Sequence, residues 1–420
     1  MKNRFTMIIL FAMAIGLMVG GYLNATLDDA QKVSAAGYFS IITDVFLRLI
    51  KMIIAPLVVS TLLVGIAHMG NTSALGRVGL KTLLWFVGAS VLSLTLGAIA
   101  VTLLQPGVGA DISSAQGAVS EIKASSLSLK DFVTHLVPKS IVEAMATNEI
   151  LQIVVFSIFF GVAMAALGEK AKLVTDLAEQ VSHVMLKVTG YVMNFAPLAV
   201  FAAIASVITQ RGFGILKTYG EFIGEFYLTL LILWMLLVFA GFLVLGPRVK
   251  QLMGRMREPI LLAFSTASSE AAYPKTLDQL QRFGVTRRIG SFVLPLGYSF
   301  NLDGSMMYCT FATIFIAQAY GIELSVGQII TMLLLLMVTS KGMAGVPRAS
   351  LVVIAATLAF FNIPQEGMVL ILAIDHFLDM GRSATNVVGN SIATAVVAKW
   401  EGELGPEQPD DAPWTDAKPA

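Results

Sequence analysis

Long apolar runs separated by short polar connections dominate the first 245 residues. They cover 5–22, 39–68, 82–104, 150–167, 181–207 and 222–245. A helix crossing about 30 Å of hydrocarbon needs roughly 20 such residues, so each run is predicted to span a membrane. The second holds Pro56 and is expected to tilt or kink there. The Ser- and Gly-rich stretch 106–148 is the one long loop. The first run follows Lys2 and Arg4, as a signal peptide would. No small-residue cleavage site ends it clearly, so a first helix is the expectation.

Beyond residue 245 the pattern changes. The run 259–273 is apolar but too short to cross, and it carries Ser265-Thr266-Ala267-Ser268-Ser269-Glu270. A run of that length reads as re-entrant or interfacial. Two half-length runs, 289–300 and 306–320, flank Asn301-Leu302-Asp303-Gly304-Ser305. The run 326–361 is broken by Ser340-Lys341-Gly342 and Gly345-Val346-Pro347-Arg348, and 367–398 is studded with polar residues. The C-terminal half thus holds two similar units. Each is an apolar hairpin with a Ser/Gly-rich tip, followed by a helix interrupted by polar residues. Paired, interrupted segments point to the binding site of a secondary transporter. Irregular backbone at membrane depth survives only where protein or a water-filled cavity satisfies it. The hairpin 259–273 is predicted to re-enter from the cytoplasmic side, and 326–361 from outside.

Composition identifies the solvent. Hydrophobic types make up 56% of the 420 residues and charged types 13%, against about 25% charged in a soluble protein. Mean hydropathy is +0.79, so the lipid bilayer is the expected surrounding. A net charge of +1 gives no basic field for nucleic acid. The single cysteine, Cys309, excludes an intrachain disulfide, and the four histidines show no metal-ligand spacing. No metal and no cofactor is expected. Lysine and arginine alternate onto one side: Lys2 and Arg4, then Arg77 and Lys81, Lys170 and Lys172, and Arg248, Lys250, Arg255 and Arg257. That side is expected to be cytoplasmic, with both termini there, in the inner membrane of a cell. The tail from residue 401, rich in Pro, Asp and Glu, is expected to be disordered.

The candidate chemistry lies in the last span. Asp375, Asp379, Arg382, Asn386 and Asn390 recur every three to four residues, and at about 100° per residue they fall in one narrow sector of a helix. Each charge buried in lipid would cost about 2.5–3.5 kcal/mol, so the stripe must face protein, water or a ligand. An ion pair of Asp379 with Arg382 that only ties helices together is the plain alternative. It leaves unexplained why Asp303, Glu270, Lys341 and Arg348 also sit in broken segments. Arginine suits bidentate capture of a carboxylate, and Asp379, one turn earlier, can accept hydrogen bonds from an ammonium group. Together they fit an amino acid with an acidic side chain. Serines and free N–H groups at the hairpin tips can hold its main-chain carboxylate. Ser268 and Ser269 are equally suited to helix capping.

Four motifs, Phe46-Leu47-Arg48-Leu49-Ile50-Lys51-Met52-Ile53, Asn301-Leu302-Asp303-Gly304, Ala344-Gly345-Val346-Pro347 and Asp379-Met380-Gly381-Arg382, resemble the glutamate transporter family of dicarboxylate/amino acid:cation symporters. The resemblance runs from the first span to about Glu401. It implies an all-α polytopic membrane protein with eight transmembrane helices, two re-entrant helical hairpins and inverted repeats. It also implies a homotrimer in which each protomer transports alone, by an elevator-type slide of a transport domain on a scaffold. Residues 1–75 would be scaffold helices 1–2, 76–106 helix 3 of the transport domain, and 107–148 an extracellular loop. Residues 149–217 would be scaffold helices 4–5, 218–400 the rest of the transport domain, and 401–420 the cytoplasmic tail. Carried over by position, Arg382 is the side-chain carboxylate ligand and Asp379 the amino-group ligand. Ser383 and Asn386 are neighbouring contacts, Ser305 stands where a threonine often lies, and Ser269 and Val346 match hairpin backbone contacts.

The chain departs from the sodium-coupled pattern of that family. Asn390 stands for an aspartate that binds sodium, and Ala89 and Met343 for threonines. Lys341 lies next to sodium-binding carbonyls. Cys309 replaces an acid thought to carry a proton in animal members, Arg348 a glycine, and Ala267 a tip arginine. With Glu270 at the first tip, the chain resembles the bacterial proton-coupled glutamate/aspartate branch. The implied function is proton-driven import of acidic amino acids. Glu270 is the first candidate for the proton site, because burial favours the neutral carboxyl. Asp303 is the second, with Asn301 and Asn390 beside it. Glu270 near a helix start can instead serve only to stabilise that end. Sodium coupling, a C4-dicarboxylate carrier and an anion channel are the alternatives. A dicarboxylate would meet Asp379 with no ammonium group to offer. No His/Glu metal pair and no Ser-His-Asp order supports an enzyme.

Overall fold

The computed structural model describes residues 2–67, 72–110, 137–213, 219–340, 349–372 and 374–409, and these are helical almost throughout. The first half contains α1 (Lys2–Thr26), α2 (Asp29–Ala67), α3 (Thr72–Leu104), α4 (Ile141–Thr147), α5 (Ile150–Leu167), α6 (Lys172–Met193) and α7 (Ala196–Arg211). Next come α8 (Gly220–Leu245) and the short α9 (Arg248–Arg255). The C-terminal half holds α10 (Arg257–Thr266), α11 (Ser269–Phe283), α12 (Arg287–Phe300) and α13 (Asp303–Ala319). It closes with α14 (Val326–Thr339), α15 (Ala349–Phe360), α16 (Met368–Leu372) and α17 (Asp375–Trp400). Among the described residues, five helical stretches are long and apolar enough to cross a membrane: Met7–Thr26, Asp29–Val64, Gly76–Leu104, Leu151–Val192 and Gly220–Leu245.

Several expectations change. The run 181–207, expected as one helix, ends at Met193 and restarts at Ala196, with Pro197 in the new first turn. Proline has no N–H for the carbonyl four residues back, so it opens a helix well and continues one badly. Gly168, at φ +55, closes α5. Among the described residues, 149–213 hold the three α-helices α5, α6 and α7. The expected loop 106–148 carries α4, whose N-cap Ser140 accepts a hydrogen bond from the Glu143 N–H. Within 367–398, α16 ends at Leu372 and α17 begins at Asp375, which puts Asp375 in the first turn of α17.

The tail needs a correction too. It is not disordered from residue 401: 401–409 pack onto the bundle, with backbone hydrogen bonds from Thr286 N–H to Glu403 O, Gly405 N–H to Gly284 O and Gln408 N–H to Arg282 O. Composition alone reads such a segment as solvated. Complementary charges and open backbone groups at the bundle end supply the partners that composition cannot reveal. Residues 410–420 lie outside the described residues.

α17 is the axis of the C-terminal half. It packs against α3, α8, α10, α11, α12 and α13, and it is buried on nearly all sides from Met380 to Ala398, as a central helix must be. α1, α2, α5, α6 and α7 pack chiefly among themselves, and α2 meets the other group through α11 and α12. α10 and α11 form a helical hairpin, with the turn at Ala267, φ +49. A non-glycine residue in that left-handed region costs about 1–2 kcal/mol. α14 and α15 also pack on each other. The tip between them, with Lys341, Met343, Gly345, Val346 and Arg348, lies outside the described residues.

Candidate functional site

α17 carries the polar stripe inward. Arg382 is fully buried, Asp375, Asn386 and Asn390 nearly so, and Asp379 keeps a fifth of its side chain exposed. Arg382 Nη2 contacts Asp375 Oδ1 at 3.1 Å and Asp379 Oδ1 at 2.9 Å. Its guanidinium carbon lies 4.1 Å from the centre of the Tyr308 ring, and the Tyr308 hydroxyl donates to Asp375 Oδ1 at 3.2 Å. Two guanidinium nitrogens, Nε and Nη1, are buried without a hydrogen-bond partner among the described residues. Leaving charged donors buried and unmet is costly. A carboxylate brought by a ligand would satisfy them, and Asp379, the most open member of the stripe, would face that ligand's ammonium group. The predicted ion pair is thus present, and the arginine keeps donors to spare.

Asn386 joins α17 to the start of α13. Its Oδ1 accepts from the N–H groups of Gly304 at 2.9 Å and Ser305 at 3.3 Å, and its Nδ2 donates to Ser305 Oγ at 3.1 Å. One side chain therefore caps the helix and fixes Ser305 beside the stripe. Ser383 is buried next to Arg382 on the same helix.

A second polar cluster lies deeper along α17. Asp303 is fully buried. Its Oδ1 accepts from Ser93 Oγ at 3.1 Å and its Oδ2 from Asn301 Nδ2 at 2.9 Å. Asn301 Nδ2 also reaches Asn390 Oδ1 at 3.2 Å, while Asn301 Oδ1 and Asn390 Nδ2 are buried without a hydrogen-bond partner among the described residues. Gly389 makes room for the cluster, because a Cβ there would lie 1.9 Å from Asp303 Oδ2. Ser93 and Asn301 are neutral donors to the Asp303 carboxyl. The structure thus brings Asp303, Asn301 and Asn390, three of the candidate coupling residues, into one cluster.

Glu270 does not join either cluster. It lies in the first turn of α11, partly buried, and Lys51 of α2 is the cation acting on its charge. The capping role goes to Ser268, whose Oγ accepts from the Ala271 N–H at 3.2 Å. Ser269 is the first residue of α11 and is half-buried. Near this tip, Ile204 and Ile208 of α7 cluster with Met380 of α17, flanked by Phe264, Ala267 and Phe377. Val346 lies outside the described residues.

Sequence reasoning missed Tyr308, Ser93 and Gly389. Tyr308 follows Ser305 by three residues, which puts both on one face of α13; that spacing was the available signal. Ser93 lies in an apolar span where serines commonly bond their own helix, as this one also does to Ala89 O at 2.8 Å. Nothing in the sequence separates its second bond from that habit.

A model of the sodium:dicarboxylate symporter family matches residues 5–400. A proton/sodium-glutamate symport protein of Bacillus caldotenax is 41% identical over 402 residues, 94% of each chain. A proton/glutamate-aspartate symporter of Escherichia coli strain K12 is 42% identical over 405 residues, 94% of this chain and 92% of its own. A C4-dicarboxylate transport protein of Bacillus subtilis strain 168 is 37% identical over 411 residues, 96% of this chain and 94% of its own.

Proposed function

The chain belongs to the sodium:dicarboxylate symporter family and is a transporter, not an enzyme, and we propose that it imports glutamate or aspartate together with protons. One observation carries the substrate class. Arg382 is buried with Nε and Nη1 unmet among the described residues, and Asp379 stands one turn away and partly open. An acidic side chain takes the arginine, and the substrate ammonium takes Asp379. Ser305, Ser383, Asn386, Ser269 and Val346 complete the contacts in this reading. In the absence of substrate, Asp375 and Asp379 balance the buried guanidinium.

Relatives include both glutamate symporters and C4-dicarboxylate carriers, so Asp379 is the discriminating residue. A dicarboxylate leaves it facing no cation. Proton coupling rests on neutral Asn390 where a sodium ligand would be an acid, and on two carboxyls, Glu270 and Asp303, in secluded positions. A proton bound from outside leaves inside with the substrate. Sodium coupling is the second reading, favoured by the relative named for both ions. The architecture proposed with it is eight transmembrane helices and two re-entrant hairpins, α10–α11 and α14–α15. The protomers form a homotrimer in the inner membrane, with cytoplasmic termini and an elevator-type slide.

Uptake into proteoliposomes at fixed membrane potential tests it. An inward proton gradient should drive glutamate accumulation without sodium. Glu270→Gln should abolish that drive while sparing exchange; if it does not, Asp303 is the carrier. Strict dependence on sodium would sink the proton reading.

A further inference from the structure

The chain does not end its structured course at α17. Residues 401–409 cross the outer end of the first hairpin and are gripped from several sides. Two of the three backbone bonds already described, Thr286 N–H to Glu403 O and Gly405 N–H to Gly284 O, make an antiparallel bridge between Val285 and Leu404. Arg248 of α9 donates from Nη2 to Phe283 O at 3.0 Å and to Gly405 O at 2.7 Å, with its guanidinium over the Phe283 ring. Arg255, also of α9, pairs with Glu407 and donates to Gln408 O at 2.9 Å. Arg288 of α12 pairs with Glu403 at 2.6 Å, and Arg282 of α11 donates to Pro409 O at 3.2 Å. Glu401 pairs with Arg77 at 2.9 Å and Lys81 at 2.7 Å, both on α3.

Gly284 is shaped for this crossing. It ends α11 at φ +109, and a Cβ there would lie 2.3 Å from Gly405 O. Any larger residue would strain the turn and push the segment away.

We propose that 401–409 is a positioning strap that fixes the outer end of α11 to α17 and thereby sets where the first hairpin's tip stands against Asp379 and Arg382. α11 has 15 residues, so it is about 22 Å long, and a tilt of about 5° at the strapped end moves the tip by roughly 2 Å. Glu258 and Lys275, 3.0 Å apart, tie α10 to α11, so both arms tilt as one. The strap grips α3, α9, α11 and α12 and continues from α17, all elements of the group built around α17. It therefore orders the hairpin within that group. Residues Arg248, Arg288 and Glu403 position the tip; none of them touches the ligand.

The role rests on the transport reading only for its uptake readout. The test uses the full chain with Ala267→Cys as a tip reporter and Cys309→Ser to silence the buried thiol. Glu403→Arg puts like charges together at Arg288. It should raise the rate of thiol labelling at the tip and the glutamate concentration for half-maximal uptake by about tenfold each, the factor expected for one charge-assisted hydrogen bond. Adding Arg288→Glu should return both to within about twofold, because the pair is restored with reversed sign. Unchanged labelling in Glu403→Arg overturns the proposal. So does a fall in thermal stability without a change in labelling, or a double variant that regains stability but not the tip's protection. If the unsubstituted chain takes up no glutamate, the transport reading fails, and the labelling series still decides the strap.

Discussion

Two buried acidic clusters share one helix and keep opposite company. Around Arg382, two carboxylates and a tyrosine ring surround a guanidinium with two nitrogens that find no acceptor among the described residues. Around Asp303, the donors identified are a serine hydroxyl and an asparagine amide, with a second asparagine beyond. The first cluster is charged and open-ended, as a site for a charged ligand must be. The donors identified on the acid of the second, Ser93 and Asn301, are neutral. The contrast is the physical basis for the proposal that the first cluster takes substrate and the second carries the coupling.

The largest effect should come from removing the charge that defines the first cluster. Arg382→Ala leaves Asp375 and Asp379 buried without their cation, and truncating one partner of a buried pair costs about 3–5 kcal/mol. Uptake of acidic substrate should vanish, while neutral amino acids gain access, measured by competition for labelled glutamate. Normal glutamate uptake would erase the distinction between the clusters. The second cluster is attacked sterically by Gly389→Ala, whose methyl group would enter the space of Asp303 Oδ2. Overpacking of this kind costs about 1–3 kcal/mol. Proton-driven accumulation should fall while glutamate still raises the melting temperature, since the arginine is untouched. If ligand stabilisation is lost as well, the clusters do not act separately.

A smaller effect is expected at Tyr308. Tyr308→Leu removes a cation–π contact worth about 0.5–2 kcal/mol and the hydroxyl on Asp375. The affinity for glutamate should drop without a change in the pH dependence of uptake, which is read from initial rates across a pH series. A third carboxylate, Glu401, extends the comparison to the bundle end. Burial pushes its carboxyl up, but hydrogen bonds and charge from Arg77 and Lys81 outweigh that and hold it below the ordinary value. A depressed carboxyl stabilises the fold above the unfolded value of about 4.3, and the contribution disappears as pH falls through the folded value. Glu401→Gln should therefore melt below the parent at neutral pH, and the two should converge in acid. A gap that persists in acid would assign the loss to packing rather than charge.

Much of this was legible in the chain. Helix existence follows from the length of the apolar runs, and 150–167 keeps its boundaries in the structure as α5. The stripe from Asp375 to Asn390 was readable because helical periodicity is a local property, and the cost of buried charge marks it as functional. Asn301, Asp303 and Asn390 were readable as candidates through broken apolar runs and family resemblance. That they touch was not, because 87 residues separate Asp303 from Asn390 along the chain. Tertiary structure decided which carboxylates meet Arg382, which serine reaches Asp303, and which tail residues dock. Each depends on atoms a few ångströms apart from distant segments, and neither period nor composition encodes such distances. The 401–409 segment makes the point most sharply. Its own residues favour water, and only the arginines and open carbonyls of other helices turn it into structure.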